Sequence, residues 1–454
     1  MTATKFATEA HRHGWRRRDI LRLGAASAVA GAAPAGWTAN GPVELVFAFG
    51  PDDTGTVQAL IDGFNEAHGD RIRVRWQVMP RASNAYLQQI RSDFLAGAAD
   101  VDVFGADIIW TAEFATQRWV ADLSRRFHGD YDPDAFLDAA LFSAQYDHRT
   151  WGVPWYTDAG MLFYRRDLLE QSGFSEPPDT WEALAEMVAT VTNDSGVPHG
   201  LVFQGADYEG GVTNALEFLW GHGARVMTGT VAISPHFGGL DALDPNVITV
   251  DTAEAAAALD TARSLVAEGV APEAVSGFRE LESMRAFLAG EAVFMRNWPY
   301  VYGSLTDPEQ SSISPEQVGI APIPVGREGR RSFSCLGGWN LMINANSTHQ
   351  EAAWEFIRFA TAPEQQRMRA VEGGYLPTLA SLYEDTDLQT RVPVIELGRQ
   401  EVENARLRPV SPYYSQMSPR ISRAFNLALR GELDGSEAVA RLRRELQHIL
   451  QVNR

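Results

Sequence analysis

The 454-residue chain has a single cysteine, Cys335, so neither an intrachain disulfide nor a cysteine-built metal site is open to it. No uninterrupted apolar run reaches the roughly 18 residues that a membrane-spanning helix requires. Positive charge is also scarce. With 39 Lys and Arg against 58 Asp and Glu the net charge is −19, which argues against a nucleic-acid partner, because counterion release needs clustered basic side chains. The signatures of common catalysts are missing: there is no G-x-S-x-G, no H-E-x-x-H, no G-x-x-x-x-G-K-[ST], and no G-x-G-x-x-G after a strand. The ten histidines are scattered, three of them (His11, His13, His128) in the leader or a polar loop, so no metal and no cofactor is expected. Cys335 lies in an apolar stretch with no base beside it, a poor setting for a nucleophile.

What is present is the composition of a globular protein, 45% hydrophobic and 10% aromatic with 21% charged residues, long enough for two or more domains. Residues 1–40 read as an address. Arg17-Arg18-Asp19-Ile20-Leu21 fits the twin-arginine export pattern, and the small apolar stretch Leu21–Ala35 ends in an A-x-A site at Ala33-Pro34-Ala35. Removing residues 1–35 would take away six basic and two acidic side chains and bring the net charge to −23. With no cysteine near the cleavage region for a lipid, the expectation is an exported protein, periplasmic or extracellular.

Beyond the leader the pattern is α/β. Val43–Phe49 reads as a largely buried strand, Val57, Leu60, Ile61 and Phe64 share one helical face, and Ile72, Val74, Trp76 and Val78 alternate as a second strand. That succession predicts a parallel crossover. A helix over 86–95 leads to a short strand at Val101–Phe104, which ends at Asp107. Capping boxes at Asp179–Glu182 and Thr348–Glu351 each announce a helix, and helices dominate the last hundred residues.

In open α/β sheets, ligands settle beyond the carboxyl ends of strands and between domains. Several unusual residues fall there: Asp107 and Trp110, Trp155 to Asp158, Trp298 to Tyr300, and Gly337-Gly338-Trp339. Rings beside carboxylates suit carbohydrate, since sugar C–H faces pack on aromatics while hydroxyls need charged or amide partners. Asp107 and Asp158 admit three readings: acid and base of a glycosidase, acceptors for bound hydroxyls, or helix caps.

The segment Val153-Pro154-Trp155-Tyr156-Thr157-Asp158-Ala159-Gly160-Met161-Leu162-Phe163-Tyr164-Arg165 resembles the sugar-binding proteins of bacterial ABC importers, and most of all their trehalose/maltose-binding group. The likeness extends through Asp102–Trp110, Phe203–Gly210, Arg296–Tyr300, Leu336–Trp339 and Arg408–Tyr414, in family order over nearly the whole exported chain. It implies a two-lobed periplasmic-binding-protein fold with a ligand cleft between discontinuous lobes, the N-lobe holding 41–150 and 302–350 and the C-lobe 151–301 and 351–454. It further implies that Asp107, Tyr156, Asp158, Trp298, Tyr300, Gly338, Trp339 and Arg408 line the cleft, with Tyr208 and Glu209. Asp107, Asp158 and Arg408 would bond hydroxyls while Trp298, Tyr300 and Trp339 stack on pyranose faces. The group carries a ligand-contacting Glu in the loop after the first strand, where this chain reads Pro51-Asp52-Asp53-Thr54-Gly55; Asp53 either takes that place with a shorter reach or leaves it empty. The function implied is capture of an α-linked disaccharide, trehalose or maltose, by a monomer that closes on it and docks on a membrane permease with its ATPase. The alternatives are another ligand on the same fold (an oligosaccharide, a sugar alcohol or a glycerophosphodiester) and an exported glycoside hydrolase working through Asp107 with Asp158 or Glu209.

Overall fold

Strand β1 (Val43–Phe49) is followed by a helix over Thr56–His68 and by β2 (Ile72–Val78), which pairs with β1 in parallel as the pattern predicts. The computed structural model describes residues 41–227 and 247–453; the expected leader, residues 1–40, lies outside them. The further strands are β3 (Val103–Asp107), a two-residue hairpin of β4 (Gln145–Tyr146) and β5 (Arg149–Thr150), β6 (Val153–Ala159), β7 (Met161–Arg165), β8 (His199–Val202), β9 (Ala292–Asn297), β10 (Val318–Ala321) and β11 (Leu336–Ile343). They form a five-stranded sheet ordered β2-β1-β3-β11-β6 and a four-stranded sheet ordered β10-β7-β9-β8.

Each sheet is the spine of one lobe. In the first, Phe47 meets Trp155 and Phe356 edge-on at 5.6 and 5.4 Å, so the helix Gln350–Ala360 packs on this sheet. In the second, Trp181 stacks on Phe218 at 4.3 Å and Phe425 closes over it, bringing in the helix Tyr414–Leu429. Both cores are dense in buried aliphatic and aromatic side chains, the main driving force for such packing.

The chain passes between the sheets at Gly160, between Ala321 and Leu336, and again around Arg406, whose backbone pairs with Ser334 and Leu336. This redraws the expected lobe boundaries. β6 was expected in the C-lobe and stands in the first sheet; β10 was expected in the N-lobe and stands in the second; the helix 350–360 belongs with the first. The physical reason is that a strand buried on both faces reads as a continuous apolar run in either sheet, so its pattern carries no information about which sheet it joins. Cap chemistry differs in detail too. Thr180 caps the helix Trp181–Ser195 by accepting from the Ala183 N–H at 3.1 Å, whereas the helix from Gln350 starts after His349 with no side-chain cap, so Thr348 does not play the expected part.

Candidate ligand-binding cleft

The register of β11 assembles one wall. Trp339 lies opposite Asp107 on β3 and Tyr156 on β6, while Gly337 lies opposite Asp158, so two carboxylates and two rings arrive at adjacent cross-strand positions. Gly338, between them, has φ +121°, and a Cβ there would stand 2.6 Å from the Tyr156 carbonyl oxygen, so only glycine permits this approach. A bulge after Trp339 shifts the register and breaks the regular ladder beside the cleft. The Trp339 ring is held by Tyr86, stacked at 5.9 Å, and by the edges of Phe49 and Trp110 at 5.1 and 5.5 Å.

The second wall comes from the residues after β9. Trp298 is half-buried beneath the Arg296 guanidinium, 4.1 Å from its ring. Gly337 allows both Trp298 and Asp158 within about 3 Å of where a Cβ would stand. Tyr300 follows, tilted against Tyr375 at 6.3 Å. Tyr208 and Glu209 sit at the start of the helix Glu209–Gly221, where the dipole favours the Glu209 carboxylate.

Between the walls lies a cavity of about 190 Å³, and all eleven sequence-predicted residues line it: Asp53, Asp107, Tyr156, Asp158, Tyr208, Glu209, Trp298, Tyr300, Gly338, Trp339 and Arg408. Their partners divide them. Arg408, 4% exposed, donates from Nη2 to Asp107 Oδ1 at 3.0 Å and from Nη1 to Glu209 Oε1 at 2.8 Å, tying one lobe to the other, while its Nε has no partner. Asp107 also accepts from Ser83 Oγ at 2.7 Å and from the Ile109 N–H at 3.3 Å, so it does cap the short turn after β3. Glu209 accepts from the hydroxyls of Tyr414 and Ser418, and burial raises its pKa against the pull of Arg408. Asp158 differs from both. Its Oδ1 is buried with no partner, and burial pushes its pKa up to about 8, opposed by the charges of Arg369 and Arg296. Asp53 is exposed at the rim, its carboxylate engaged by Arg81 at 2.8 Å.

Other lining residues escaped the sequence reading: Phe49, Arg81, Ser83, Glu280 and Tyr375. Tyr375 carried a usable signal, since Gly373-Gly374-Tyr375 repeats the Gly-Gly-aromatic pattern of Gly337-Gly338-Trp339. Arg369, which lies behind the wall, gave none. It is fully buried among Trp155, Tyr156 and Tyr375, 3.8 to 4.6 Å from their rings. Cys335 is buried with its thiol pKa pushed up to about 12, which removes it as a nucleophile. Among the described residues, no group of three His, Cys, Asp or Glu could hold a metal ion, and no helix is long and apolar enough to cross a membrane.

Two α/β lobes, three chain crossings and an inter-lobe cavity walled by rings and carboxylates from both sides define a two-lobed receptor of the periplasmic-binding type. The chain belongs to the bacterial extracellular solute-binding protein family, whose profile matches residues 50–367. It is 33% identical over 367 residues to a "probable ABC transporter-binding protein" of Deinococcus radiodurans, covering 79% of this chain and 81% of that one. A mannitol-binding protein of Pseudomonas aeruginosa is 25% identical over 415 residues, covering 85% and 87%. The solved structure of maltose-bound T. maritima MalE3 superposes with a TM-score of 0.81 at 34% identity, covering 90% of this chain and 100% of that one.

Proposed function

We propose that this chain is the substrate-binding protein of an ABC sugar importer, that it captures an α-linked disaccharide, trehalose or maltose, by closing its lobes, and that it delivers the sugar to a permease driven by ATPase subunits. The observation that carries the reading is the pairing of aromatic walls from opposite lobes, Trp339 and Trp298, around buried carboxylates in one cavity. A ligand shifts an open–closed equilibrium only by preferring the closed form, so its contacts must be divided between the lobes, as these residues are. Stacking on Trp298, Tyr300 and Trp339 supplies area, Asp107 and Arg408 supply charge-assisted hydrogen bonds, and the unpaired carboxyl of Asp158 supplies a further hydrogen-bonding group. The likeness to a maltose-bound structure at 34% identity supports the sugar class. Asp107 and Glu209 are both engaged by Arg408, which leaves neither free as the base or nucleophile of a glycosidase and favours binding over catalysis. Export as a soluble monomer through the twin-arginine leader completes the reading.

A sugar alcohol is the second reading, favoured by the cavity itself: about 190 Å³ lies below the roughly 300–1,000 Å³ usual for small-molecule sites. Calorimetry against trehalose, maltose, glucose and mannitol separates them. One-to-one binding of a disaccharide, abolished in Asp158→Ala and Trp298→Ala, is the expected result. Heat from mannitol alone would replace the disaccharide, and sustained glucose release from trehalose or maltose would overturn the receptor.

A further inference from the structure

Three glycines bring backbone against backbone where the two lobes meet. The helix Val301–Leu305 lies between β9 and β10, both strands of the second sheet, and the chain after it is tied to that lobe by the Ser312 N–H, which donates to the Leu288 carbonyl at 2.8 Å. The helix Pro363–Gly373 belongs to the first lobe, where it packs against the helices Thr56–His68 and Gln350–Ala360. A Cβ at Gly303 would stand 3.0 Å from both the carbonyl carbon and the oxygen of Gly373, and one at Gly374 would stand 3.1 Å from the Gly303 nitrogen and 3.2 Å from the Pro299 oxygen. Ordinary Cβ contacts begin near 3.4 Å, and these neighbours are backbone, which cannot turn aside as a side chain does.

The contact stands directly behind two rings of the cavity. The Cβ position of Gly374 is 3.4 Å from Tyr300 Cα and that of Gly373 is 2.7 Å from the Tyr375 ring, while Tyr300 and Tyr375 meet across the lobes at 6.3 Å. None of the three chain crossings runs through it, so packing alone holds it together. Gly374, at φ +69°, requires glycine for its own conformation. Gly303 does not: it sits inside a helix, where alanine is the better residue, so its local structure gives no reason for glycine and the approach of the other lobe does.

Resting on the lobe closure of the proposed function, and not on which ligand is held, we infer that Gly303 is a positioning residue for ligand capture: its bare backbone lets Gly373 and Gly374 seat against it, and that seating sets how closely Tyr300 and Tyr375 approach a ligand from opposite lobes. Gly303 does not itself line the cavity, so it acts through those rings. A side chain at position 303 is accommodated while the lobes are apart and stops them short of full closure. Because a ligand leaves only as the lobes part, the effect falls on dissociation.

The parent chain, Gly303→Ala, Gly303→Val and a control, Gly63→Ala, are compared by calorimetry, stopped-flow tryptophan fluorescence and small-angle scattering with maltose, trehalose and mannitol. Gly63 is also a helix glycine, but the nearest neighbour of its Cβ position is the Phe359 ring of the same lobe at an ordinary 3.7 Å. The expected result is a loss of roughly tenfold in affinity in Gly303→Ala for every ligand the parent binds, and a larger loss in Gly303→Val. The loss should lie in a faster dissociation rate, with association within about twofold of the parent, and the contraction on ligand binding should be smaller. Unliganded Gly303→Ala should melt at or above the parent temperature, and Gly63→Ala should keep the parent affinity. Parent affinity and dissociation rate in both Gly303 variants overturn the role of this contact and leave the receptor standing, as does an affinity loss in Gly303→Ala that a fall in its melting temperature accompanies. A parent chain that binds one of these ligands without contracting overturns the lobe closure on which both readings rest.

Discussion

Two buried clusters of charge, one inside the second lobe and one between the lobes, are built differently. Around Arg296 and Glu217 the ion pair is bidentate, Nε to Oε2 at 2.7 Å and Nη2 to Oε1 at 2.6 Å; Gln204 accepts from Nη1, and the Cys335 N–H donates to Glu217 Oε1. Gly160, where the chain crosses between sheets, packs directly against this pair, and its carbonyl accepts from Ser334 on the second crossing. The cluster is saturated and lies where the crossings meet. The cluster of Asp107, Arg408, Glu209 and Asp158 is equally buried yet unfinished, with Asp158 Oδ1 and Arg408 Nε lacking partners. A saturated buried network fixes a scaffold, whereas one with vacant valences next to a cavity holds a place for polar groups that arrive from solution.

The contrast breaks most violently at the scaffold. Arg296→Met leaves Glu217, 2% exposed, as an uncompensated buried charge, and a loss of about 3–5 kcal/mol in unfolding free energy is expected from urea denaturation. Adding Glu217→Leu should restore part of that loss, since removing both charges removes the penalty. Recovery would show that the pair is replaceable structure. At the unfinished cluster the expectation inverts. Asp158→Asn should leave stability unchanged or raised, because it replaces a carboxyl whose burial already disfavours the charge, while sugar affinity falls by roughly 3- to 10-fold, the worth of a neutral hydrogen bond. Calorimetry and denaturation on one preparation separate the two effects.

Titration sharpens the same comparison. Asp158 has its pKa raised from an ordinary 3.8 to about 8, and Glu401, buried under Ser334, from 4.5 to about 7. The folded protein thus keeps protons that the unfolded chain has released. Their contribution to stability is fully present below pH about 4 and is lost as pH rises through the folded values, at up to ~1.4 kcal/mol per pH unit for each group. The unliganded protein should therefore have a lower urea midpoint at pH 8 than at pH 5. The difference should shrink in Asp158→Asn, where Glu401, Glu209, Glu372 and Asp93 continue to titrate with raised values. A pH dependence identical in the variant would mean that Asp158 is already paired in solution.

Much of this arrangement could be read from residue order, for identifiable reasons. β1 and β2 show strand patterning with a helix between, and Asp107, Trp298 and Trp339 stand out because they follow or end apolar runs beside glycine or proline. What escaped was decided by tertiary structure. β6 and β10 are apolar enough for either sheet, so only pairing partners reveal where they belong. Tyr375 reaches the cavity from a segment whose Leu376 bridges to Thr157 on β6, a neighbour more than two hundred residues away. Arg369 looks like an ordinary polar helix residue until three rings close around it.

Asp53 is the mildest test of the distinction between vacant and occupied valences. Its neighbour Asp52 is spent on local structure, accepting from the Val57 N–H at 2.7 Å and from the Tyr375 hydroxyl at 3.1 Å. Asp53 lines the cavity only at its rim, and both it and Arg81 are close to half exposed. Exposed ion pairs contribute about 0.2–1 kcal/mol and are screened by salt. Asp53→Asn should therefore leave the melting temperature in place and lower sugar affinity by no more than about threefold, with the difference shrinking further as salt is raised. An affinity loss as large as that of Asp158→Asn would mean that the ligand displaces Arg81 from Asp53 on binding. An occupied carboxylate at the rim would then act as a site, and vacancy alone would no longer distinguish site from scaffold.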